Sequence, residues 1–379
     1  MIKLVSYPIV EFHFMAIHPT FKRHLRQALA FALIWMVFGV LYALLEYGIM
    51  GEETIYPSTN NKYEFKSSLL YITIGSFSMG FVQGLVEAIW FKNLFKGETL
   101  FKKILVKGIY YILILIIFLC LNTLIVNSNY YGQPPFHPIV LESFWRFIGE
   151  FSFWSVIIYT FAILTISLFY SEMSNYVGFG VLSNFFLNKY HQPKQEVRIF
   201  MFLDMKSSTK IAEQIGHKKY FDLLKKYYAD MTNPILETSG QIYQYVGDEI
   251  VVSWPESVGT LNNNCIRCLE KIDTEINRNK DDYKKEFGLV PQFKAGYHIG
   301  EVTAGEIGML KKDIIYTGDV LNTTARIQAQ CNNYESKVLI SEELLKRLTK
   351  DVQNVAKRIG NLNLRGKSES INLFSLTLR

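Results

Sequence analysis

Four long apolar runs dominate the first half of the chain. None of them contains a charged residue, and they occupy positions 28–45, 67–86, 108–126 and 151–170. A helix needs about 20 mainly apolar residues to cross the hydrocarbon core of a bilayer, and four such runs could not share one ordinary globular core. The pattern therefore predicts an α-helical membrane domain with four spans in residues 1–170.

Basic residues are concentrated in alternate segments outside these runs. The loops 46–66 and 127–150 carry only Lys62, Lys66 and Arg146. The richer segments precede the first run or separate the second from the third, and their basic residues are Lys22, Arg23, Arg26, Lys92, Lys96, Lys102, Lys103 and Lys107. Because short cytoplasmic loops carry the excess of Lys and Arg, we expect a multi-pass protein of the cell (inner) membrane whose N-terminus and C-terminal half are cytoplasmic.

An acid, Glu87, follows directly after the second run. An ionisable residue within a membrane is by default a candidate functional residue. Glu87 lies near the predicted interface and close to Lys92. We therefore expect its side chain to reach towards water in a structural role.

Charged and turn residues appear at the density of an ordinary soluble domain after about residue 190. Residues 171–195 are too polar to span a membrane and too apolar for a free linker, so we interpret them as a juxtamembrane coupling linker. The 379 residues have room for about two domains. We expect the membrane domain, this linker and a soluble domain at 196–379.

Composition narrows the choice of partners. The net charge of +6 would suit nucleic acid or an anionic membrane, but the soluble half has no long basic run, so we expect a lipid membrane and no nucleic acid.

The four cysteines suggest no disulfide framework. Cys265 and Cys268 share one face of a predicted helix, and we interpret them as half-buried thiols rather than metal ligands. No cleavable signal peptide is expected at the N-terminus.

A short buried strand opens the soluble half. The run VRIFMFLD at 197–204 is β-branched and aromatic and ends in Asp204. A polar turn follows and opens a helix, with Ser207, Ser208 and Thr209 as candidate caps. Free N–H groups at a helix start bind phosphate oxygens, and a neighbouring carboxylate can bind a divalent cation. The segment therefore predicts a site for phosphate and metal.

A predicted hairpin carries a second acid. A long amphipathic helix is expected from about 218 to 237, and GQIYQYVGDEIVVSW at 240–254 then predicts two strands around a Gly-Asp turn, with Asp248 at its exposed tip. Two acids at strand ends suit a two-metal site for phosphoryl transfer. A Gly-Asp hairpin alone is simply a favourable turn.

Two further segments complete the soluble half. FKAGYHIGEVTAGEIG at 293–308 predicts a pair of strands joined at 298–300. TGDVLNTTARIQAQC at 317–331 predicts a turn that opens a helix. Asn322 and Arg326 lie four residues apart and share a helix face. There they could stabilise charge on a pentavalent phosphorus or form an ordinary surface pair.

Five segments together resemble one family. LDMKSST, YVGDEIVVSW, AGYHIGEVTAGEIG, GDVLNTTAR and LRGKSESINLFSL occur in the order and spacing of the class III adenylyl/guanylyl cyclase catalytic domain, over residues 196–379. The resemblance implies an α+β ferredoxin-like domain that works as a head-to-tail homodimer with the substrate between two protomers. It also implies conversion of a purine nucleoside triphosphate into a 3′,5′-cyclic nucleotide and pyrophosphate.

The resemblance also implies a metal site. Asp204 and Asp248 look like the metal-binding aspartates, aided by the main-chain carbonyl of Met205, for two Mg²⁺ or Mn²⁺ ions per active site. One ion would lower the pKa of the ribose 3′-hydroxyl and the other would bridge the triphosphate. No side chain is an obvious general base, so positioning and metal activation would account for most of the rate.

The remaining roles concern the triphosphate and the partner chain. Asn322 and Arg326, from the partner, look like the pair that orients the ribose and stabilises the transition state. Arg365 or Lys367 would contact the terminal phosphates. Since this chain has both acids and the Asn/Arg pair, a homodimer would contain two complete sites.

The base-reading positions depart from the family pattern. The usual adenine-reading lysine is replaced by Gln244, and its Asp or Thr partner by Ile315. Glutamine both donates and accepts hydrogen bonds and could match adenine, whereas Ile315 offers only packing. We expect an adenylate cyclase that uses ATP. The alternatives are a guanylate or dual-specificity cyclase that uses GTP, and a catalytically inactive cyclase-like receptor or scaffold.

Overall fold

The computed structural model describes residues 19–56, 62–91, 98–177, 190–309, 312–363 and 370–377. The chain divides into two compact units, one formed by Phe21–Ser183 and the other comprising mainly Asn184–Arg379. We call them the helical unit and the sheet unit. Two predicted phosphate contacts, Arg365 and Lys367, and residues 178–189 of the predicted linker lie outside the described residues.

The helical unit contains the four predicted spans. Its helices are α1 (Pro19–Met50), α2 (Phe65–Val86), α3 (Leu100–Tyr131), α4 (Pro138–Gly149) and α5 (Phe151–Val177). A π-helical turn, Glu87–Phe91, continues α2. Helices α1, α2 with its π-turn, α3 and α5 are long and apolar enough to cross a membrane. The short helix α4 was not predicted, although Pro138 at its first turn is a favourable start signal.

Small residues bring α1 and α2 close together. A Cβ added to Gly84 would lie 2.6 Å from the Cα of Ala28, and one added to Gly80 would lie 2.7 Å from the Cβ of Trp35. Such close backbone approach favours helix association in a bilayer. The prediction for Glu87 was wrong: its side chain is buried and contacts Lys107 of α3 instead of reaching towards water. The reason is that the π-turn lies against α3, which supplies a buried cation.

The sheet unit is one mixed sheet with helices. Its strands are β1 (Lys194–Met205), β2 (Gln241–Val246), β3 (Glu249–Pro255), β4 (Phe293–Ile307), β5 (Asp313–Thr317), β6 (Val338–Ser341), β7 (Lys357–Asn363) and β8 (Ser370–Ser375). Its helices are α6 (Ser208–Ile215), α7 (His217–Glu237), α8 (Glu256–Gly259), α9 (Asn264–Arg278), α10 (Lys280–Phe287), α11 (Asp319–Gln330), α12 (Glu342–Leu345) and α13 (Lys350–Val355). The strand order is β2-β3-β1-β4-β6-β8-β7, with β5 paired to β4. The predicted first strand, long helix and hairpin are confirmed.

The expected pair of strands at 293–308 is instead one long strand, β4. It pairs antiparallel with β1 without interruption, from Phe293 opposite Met205 to Ala304 opposite Lys194. Gly300, placed in the predicted turn, is extended within the strand. A Cβ there would lie 3.1 Å from a methyl of Val320, so this glycine permits close packing of α11 rather than a reversal of the chain.

The main core of the sheet unit lies between the sheet and helices α7 and α9. Trp254 is fully buried, and its indole Nε1 donates to the carbonyl of Thr238 at 3.0 Å. Cys265 and Cys268 are fully buried, not half-buried as expected. Burial raises the pKa of both thiols to about 12, so they remain protonated and act as small apolar side chains.

Candidate active site

Antiparallel pairing brings the two predicted metal-binding acids together. Asp204 is the penultimate residue of β1 and lies opposite Glu249, the first residue of β3. Asp248 directly precedes Glu249, in a turn where Gly247 has a φ of 62°. This turn places Asp248 next to the end of β1. Asp248 is half-buried, not at an exposed tip as expected. Burial, followed by its contact with the Asp204 carboxyl, raises the pKa of Asp248.

Two side chains from distant segments contact Asp204. Lys294 of β4 lies directly opposite it in the sheet, with its Nζ 3.2 Å from Asp204 Oδ2. The Nε2 of Gln328, on α11, donates to the same oxygen at 3.3 Å. Neither residue is predicted from the sequence. No local signal indicates them, since each contact depends on long-range pairing or packing.

Glu249 is a third acid at this site, and it too is not predicted from the sequence. Its pKa is raised to about 7, first by burial and then by the negative charges of Asp204 and Asp248, against the opposing effect of Lys294. The repulsion among three neighbouring acids is therefore compensated only partly by one lysine. Such a cluster favours additional positive charge.

The oxygen atoms at this site fit a divalent cation. Asp248 Oδ2 is buried and has no hydrogen-bond partner among the described residues, which costs free energy unless another group satisfies it. Carboxylate and carbonyl oxygens are the ligands preferred by Mg²⁺ and Mn²⁺. The described residues contain no group of three His, Cys, Asp or Glu side chains arranged to bind a metal. Further oxygens would have to come from the main chain, such as that of Met205, and from substrate.

The three candidate cap residues take different positions at the start of α6. Ser207 occupies the N-cap with a φ of 59°, but its side chain makes no capping hydrogen bond. Ser208 is half-buried and its hydroxyl contacts Asp248, which lowers the pKa of that acid. Thr209 is exposed. The helix start therefore lies beside the acids, as the sequence pattern predicted.

Asn322 and Arg326 are both exposed on the outer face of α11. On the same helix, Gln328 is buried and points towards Asp204. Arg326 and Gln328 are two residues apart, which corresponds to about 200° of rotation around a helix. Arg326, and Asn322 on the same helix face, therefore point away from the acids of their own chain.

The structure does not show a direct contact between the two base-reading candidates. Gln244 is exposed on β2, and Ile315 is half-buried on β5. The residues next to them in the sequence do contact each other: the ring centroids of Tyr243 and Tyr316 are 5.0 Å apart. The two strands thus approach each other at this point.

Known proteins resemble the chain mainly over the sheet unit. Residues 189–377 match the family model of the adenylate and guanylate cyclase catalytic domain. The chain is 34% identical to adenylate cyclase 2 of Rhizobium meliloti over 223 residues, which are 59% of this chain and 61% of that protein. It is 24% identical to an adenylate cyclase of Anabaena cylindrica, over 46% of this chain and 36% of that protein. It thus spans less than two thirds of either relative.

A solved structure shows the same fold. A bacterial light-regulated adenylyl cyclase superposes with a TM-score of 0.51 at 17% identity, covering 60% of this chain and 65% of that one. At this identity the likeness concerns the fold alone. Taken with the family match, it identifies the mixed sheet and its helices as a cyclase catalytic domain. The chain therefore belongs, through residues 189–377, to the class III family of adenylate and guanylate cyclase catalytic domains.

Proposed function

We propose that this protein is an adenylate cyclase that converts ATP into 3′,5′-cyclic AMP and pyrophosphate. The observation that carries the proposal is the pairing of Asp204 and Asp248, with a buried carboxylate oxygen that has no hydrogen-bond partner in the described part of the chain. The relatives named adenylate cyclase support ATP as the substrate. The direct test is to incubate purified full-length protein with ATP or GTP and Mg²⁺ or Mn²⁺ and to identify the cyclic product.

The metal site would consist of Asp204, Asp248 and the main-chain carbonyl of Met205. Two bound Mg²⁺ or Mn²⁺ ions would supply positive charge that lowers the pKa of the ribose 3′-hydroxyl and neutralises the triphosphate. Lys294 and Gln328 both contact Asp204 Oδ2. We infer that they position this carboxylate, while Lys294 offsets part of its charge before substrate binds.

In the proposed reaction the 3′-oxygen attacks the α-phosphorus and pyrophosphate leaves. The 3′-hydroxyl loses its proton to solvent as the new oxygen–phosphorus bond forms. The backbone N–H groups at the start of α6, around Ser207, Ser208 and Thr209, would bind phosphate oxygens. Asn322 would orient the ribose, and Arg326 would stabilise the charge on the pentavalent phosphorus. Arg365 and Lys367 stay predicted contacts for the terminal phosphates.

Two features of the sheet unit support a homodimer with shared sites. Asn322 and Arg326 point away from their own acids, so a second chain must supply them to any substrate bound there. Strand β2 lies at the edge of the sheet, and Ile242, Tyr245 and Val246 are 37%, 50% and 52% exposed. An exposed apolar edge strand favours association.

The fold and domain organisation extend the proposal. The strands from β1 to β4 are connected as β1-helices-β2-β3-helices-β4 and lie in the order β2-β3-β1-β4, which supports a ferredoxin-like core. We propose a membrane domain at 1–170, a coupling linker at 171–195 and a catalytic domain at 196–379. The catalytic domain would be cytoplasmic, where nucleoside triphosphates are found.

The proposed topology gives a testable orientation. The helical unit has four helices that could cross a membrane, and the Lys/Arg distribution predicts that both ends of the chain lie inside. A topology reporter inserted at position 58 or 135 should register outside the cell membrane, and one at position 98 should register inside. The opposite pattern would refute the orientation.

Gln244 is the proposed base reader. Its amide can match both edges of adenine but can also rotate to match guanine, and a mismatched neutral hydrogen bond costs only about 1–3 kcal/mol. ATP should therefore be preferred over GTP by about tenfold to a hundredfold. Gln244→Glu should shift the kcat/KM ratio towards GTP, because a carboxylate accepts from the N1–H and 2-amino groups of guanine.

The control for this prediction is Ile315→Ala. An apolar wall contacts either purine, so its removal should weaken both substrates about equally. An unchanged ATP/GTP ratio in Gln244→Glu would show that Gln244 does not read the base. A GTP preference in the unmodified protein would favour the guanylate or dual-specificity alternative.

A further inference from the structure

Three ionisable residues form a buried cluster inside the helical unit. The side chains of Glu87, Lys107 and Glu172 are only 2%, 3% and 7% exposed. Lys107 Nζ contacts Glu87 Oε1 and lies 2.9 Å from Glu172 Oε1. The hydroxyl of Tyr111 donates to Glu87 Oε2 at 3.3 Å. We call the three charged residues the Glu87–Lys107–Glu172 cluster.

The cluster connects three of the four long helices, and Glu172 belongs to the last of them. Glu87 begins the π-turn after α2, Lys107 lies on α3, and Glu172 lies near the end of α5. Lys103, one turn from Lys107, also lies 3.7 Å from Glu172. Glu172 therefore contacts two lysines of α3 and, through Lys107, is connected to Glu87.

A second contact joins the same end of α5 to α1. Gln27 is 4% exposed, and its Nε2 donates to the hydroxyl of Ser171, which is fully buried, at 3.0 Å. The last turns of α5 thus have polar contacts with both α1 and α3. Earlier in α5, apolar side chains such as Leu168 pack in the interior, and the Tyr159 hydroxyl donates to the carbonyl of Phe38 on α1 at 2.7 Å.

Buried charges are an inefficient way to stabilise helix packing. Removing charges from water is costly, and apolar residues of similar volume often give equal or greater stability. What a buried ion-pair network can add is specificity, because any displacement that separates the pairs leaves an uncompensated charge. The cluster therefore favours one position of the α5 end over its alternatives.

The α5 end is also where the helical unit continues into the C-terminal half of the chain. The chain runs from α5 through residues 178–189 to the sheet unit, where Tyr190 is buried. The helical unit can therefore act on the sheet unit directly along the chain, through a change in the position of the α5 end. We propose that the Glu87–Lys107–Glu172 cluster is a latch that fixes the end of α5 and thereby sets the basal output of the cyclase. The second half of this statement rests on the proposed function.

The experiment compares charge-neutral variants of the full-length protein in lipid nanodiscs. Glu172→Gln removes one partner of the latch. The triple variant Glu87→Gln, Lys107→Met and Glu172→Gln removes all three charges, so it leaves none of them buried and unpaired and should fold even if the single variant does not. The control is Glu98→Gln, which breaks an exposed ion pair with Lys102 at the start of α3.

Two readouts are measured on each variant. Hydrogen exchange of amides at 165–177 should become about tenfold faster in the latch variants and stay unchanged in the control, because the α5 end opens more often. Cyclase kcat should change by about fivefold or more, within the usual range of coupling between sites. The KM for the metal–nucleotide complex should not change, since the variants leave the active site intact.

Each outcome decides one part of the proposal. Unchanged exchange in both latch variants would show that the cluster does not fix α5. Faster exchange with unchanged kcat would show that the cluster fixes the helix but does not act on the sheet unit. If the unmodified protein makes no cyclic nucleotide, the proposed function fails. The latch is then tested by amide hydrogen exchange of the latch variants at 165–177 and at 190–200. An unchanged exchange rate at 190–200 would show that the α5 end does not act on the sheet unit.

Discussion

Replacing Asp204 or Asp248 by alanine should lower cyclic nucleotide production by about three orders of magnitude. Each variant would remove a ligand of the proposed metal site, and metal stabilisation of the transition state is worth several kcal/mol, where about 1.4 kcal/mol corresponds to a factor of ten. The measurement is initial rate with ATP and Mg²⁺ or Mn²⁺. Direct titration of Mn²⁺ by electron paramagnetic resonance should show weaker binding in both variants.

Folding must be checked separately. Without divalent metal, Asp248→Ala should unfold at the same temperature as the unmodified protein or at a higher one, since it relieves repulsion with Asp204 and Glu249. Asp281→Ala, which removes an exposed acid on α10, is the matched control and should retain full activity. Near-normal turnover in a folded Asp204 or Asp248 variant would contradict the metal assignment.

Mixing an Asp204→Ala chain with an Arg326→Ala chain should restore activity that neither chain has alone. In a mixed dimer, one site combines the intact acids of one chain with the intact Asn322/Arg326 pair of the other. The second site lacks both groups. With random pairing of equal amounts in a two-fold dimer, activity should recover to about one quarter of the unmodified level.

The control for complementation is a mixture of Asp204→Ala and Asp248→Ala chains. Both acids of a site come from one chain, so this mixture contains no complete site and should stay inactive. Dimer formation should be verified with differently tagged chains. If mixed dimers form and the first mixture stays inactive, each site is built from a single chain and the shared-site proposal is wrong.

Local patterns were sufficient to predict the four long helices and the elements that contain the two candidate metal-binding acids. The four apolar runs formed four long helices. Whether a helix is long and apolar enough to cross a membrane depends on the length and composition of its run, which are local properties of the sequence. The strand that ends in Asp204, the helix that follows it and the hairpin of Asp248 also formed as predicted. In these segments, residues close in the sequence make the contacts that decide the structure.

Predictions failed where a distant segment decided the outcome. The glycines of β4 suggested a turn, but pairing with the whole length of β1 keeps the strand extended. Glu87 was expected to reach water, but α3 places Lys107 against it in the interior. Neither partner is visible in a local pattern, because strand register and helix packing arise only when the chain is folded.

The residues of the candidate site also fall into two groups, those that the sequence indicates and those that only the tertiary structure shows. The sequence by itself indicated Asp204, Asp248 and the start of α6, because each is an acid or a helix start at the end of a strand. Only the tertiary structure added Lys294 and Gln328, which reach Asp204 from β4 and α11. It alone also showed that α11 directs Gln328 inward and Asn322 and Arg326 outward. The physical reason is that helix periodicity determines which residues share a face, whereas packing determines which face meets the site.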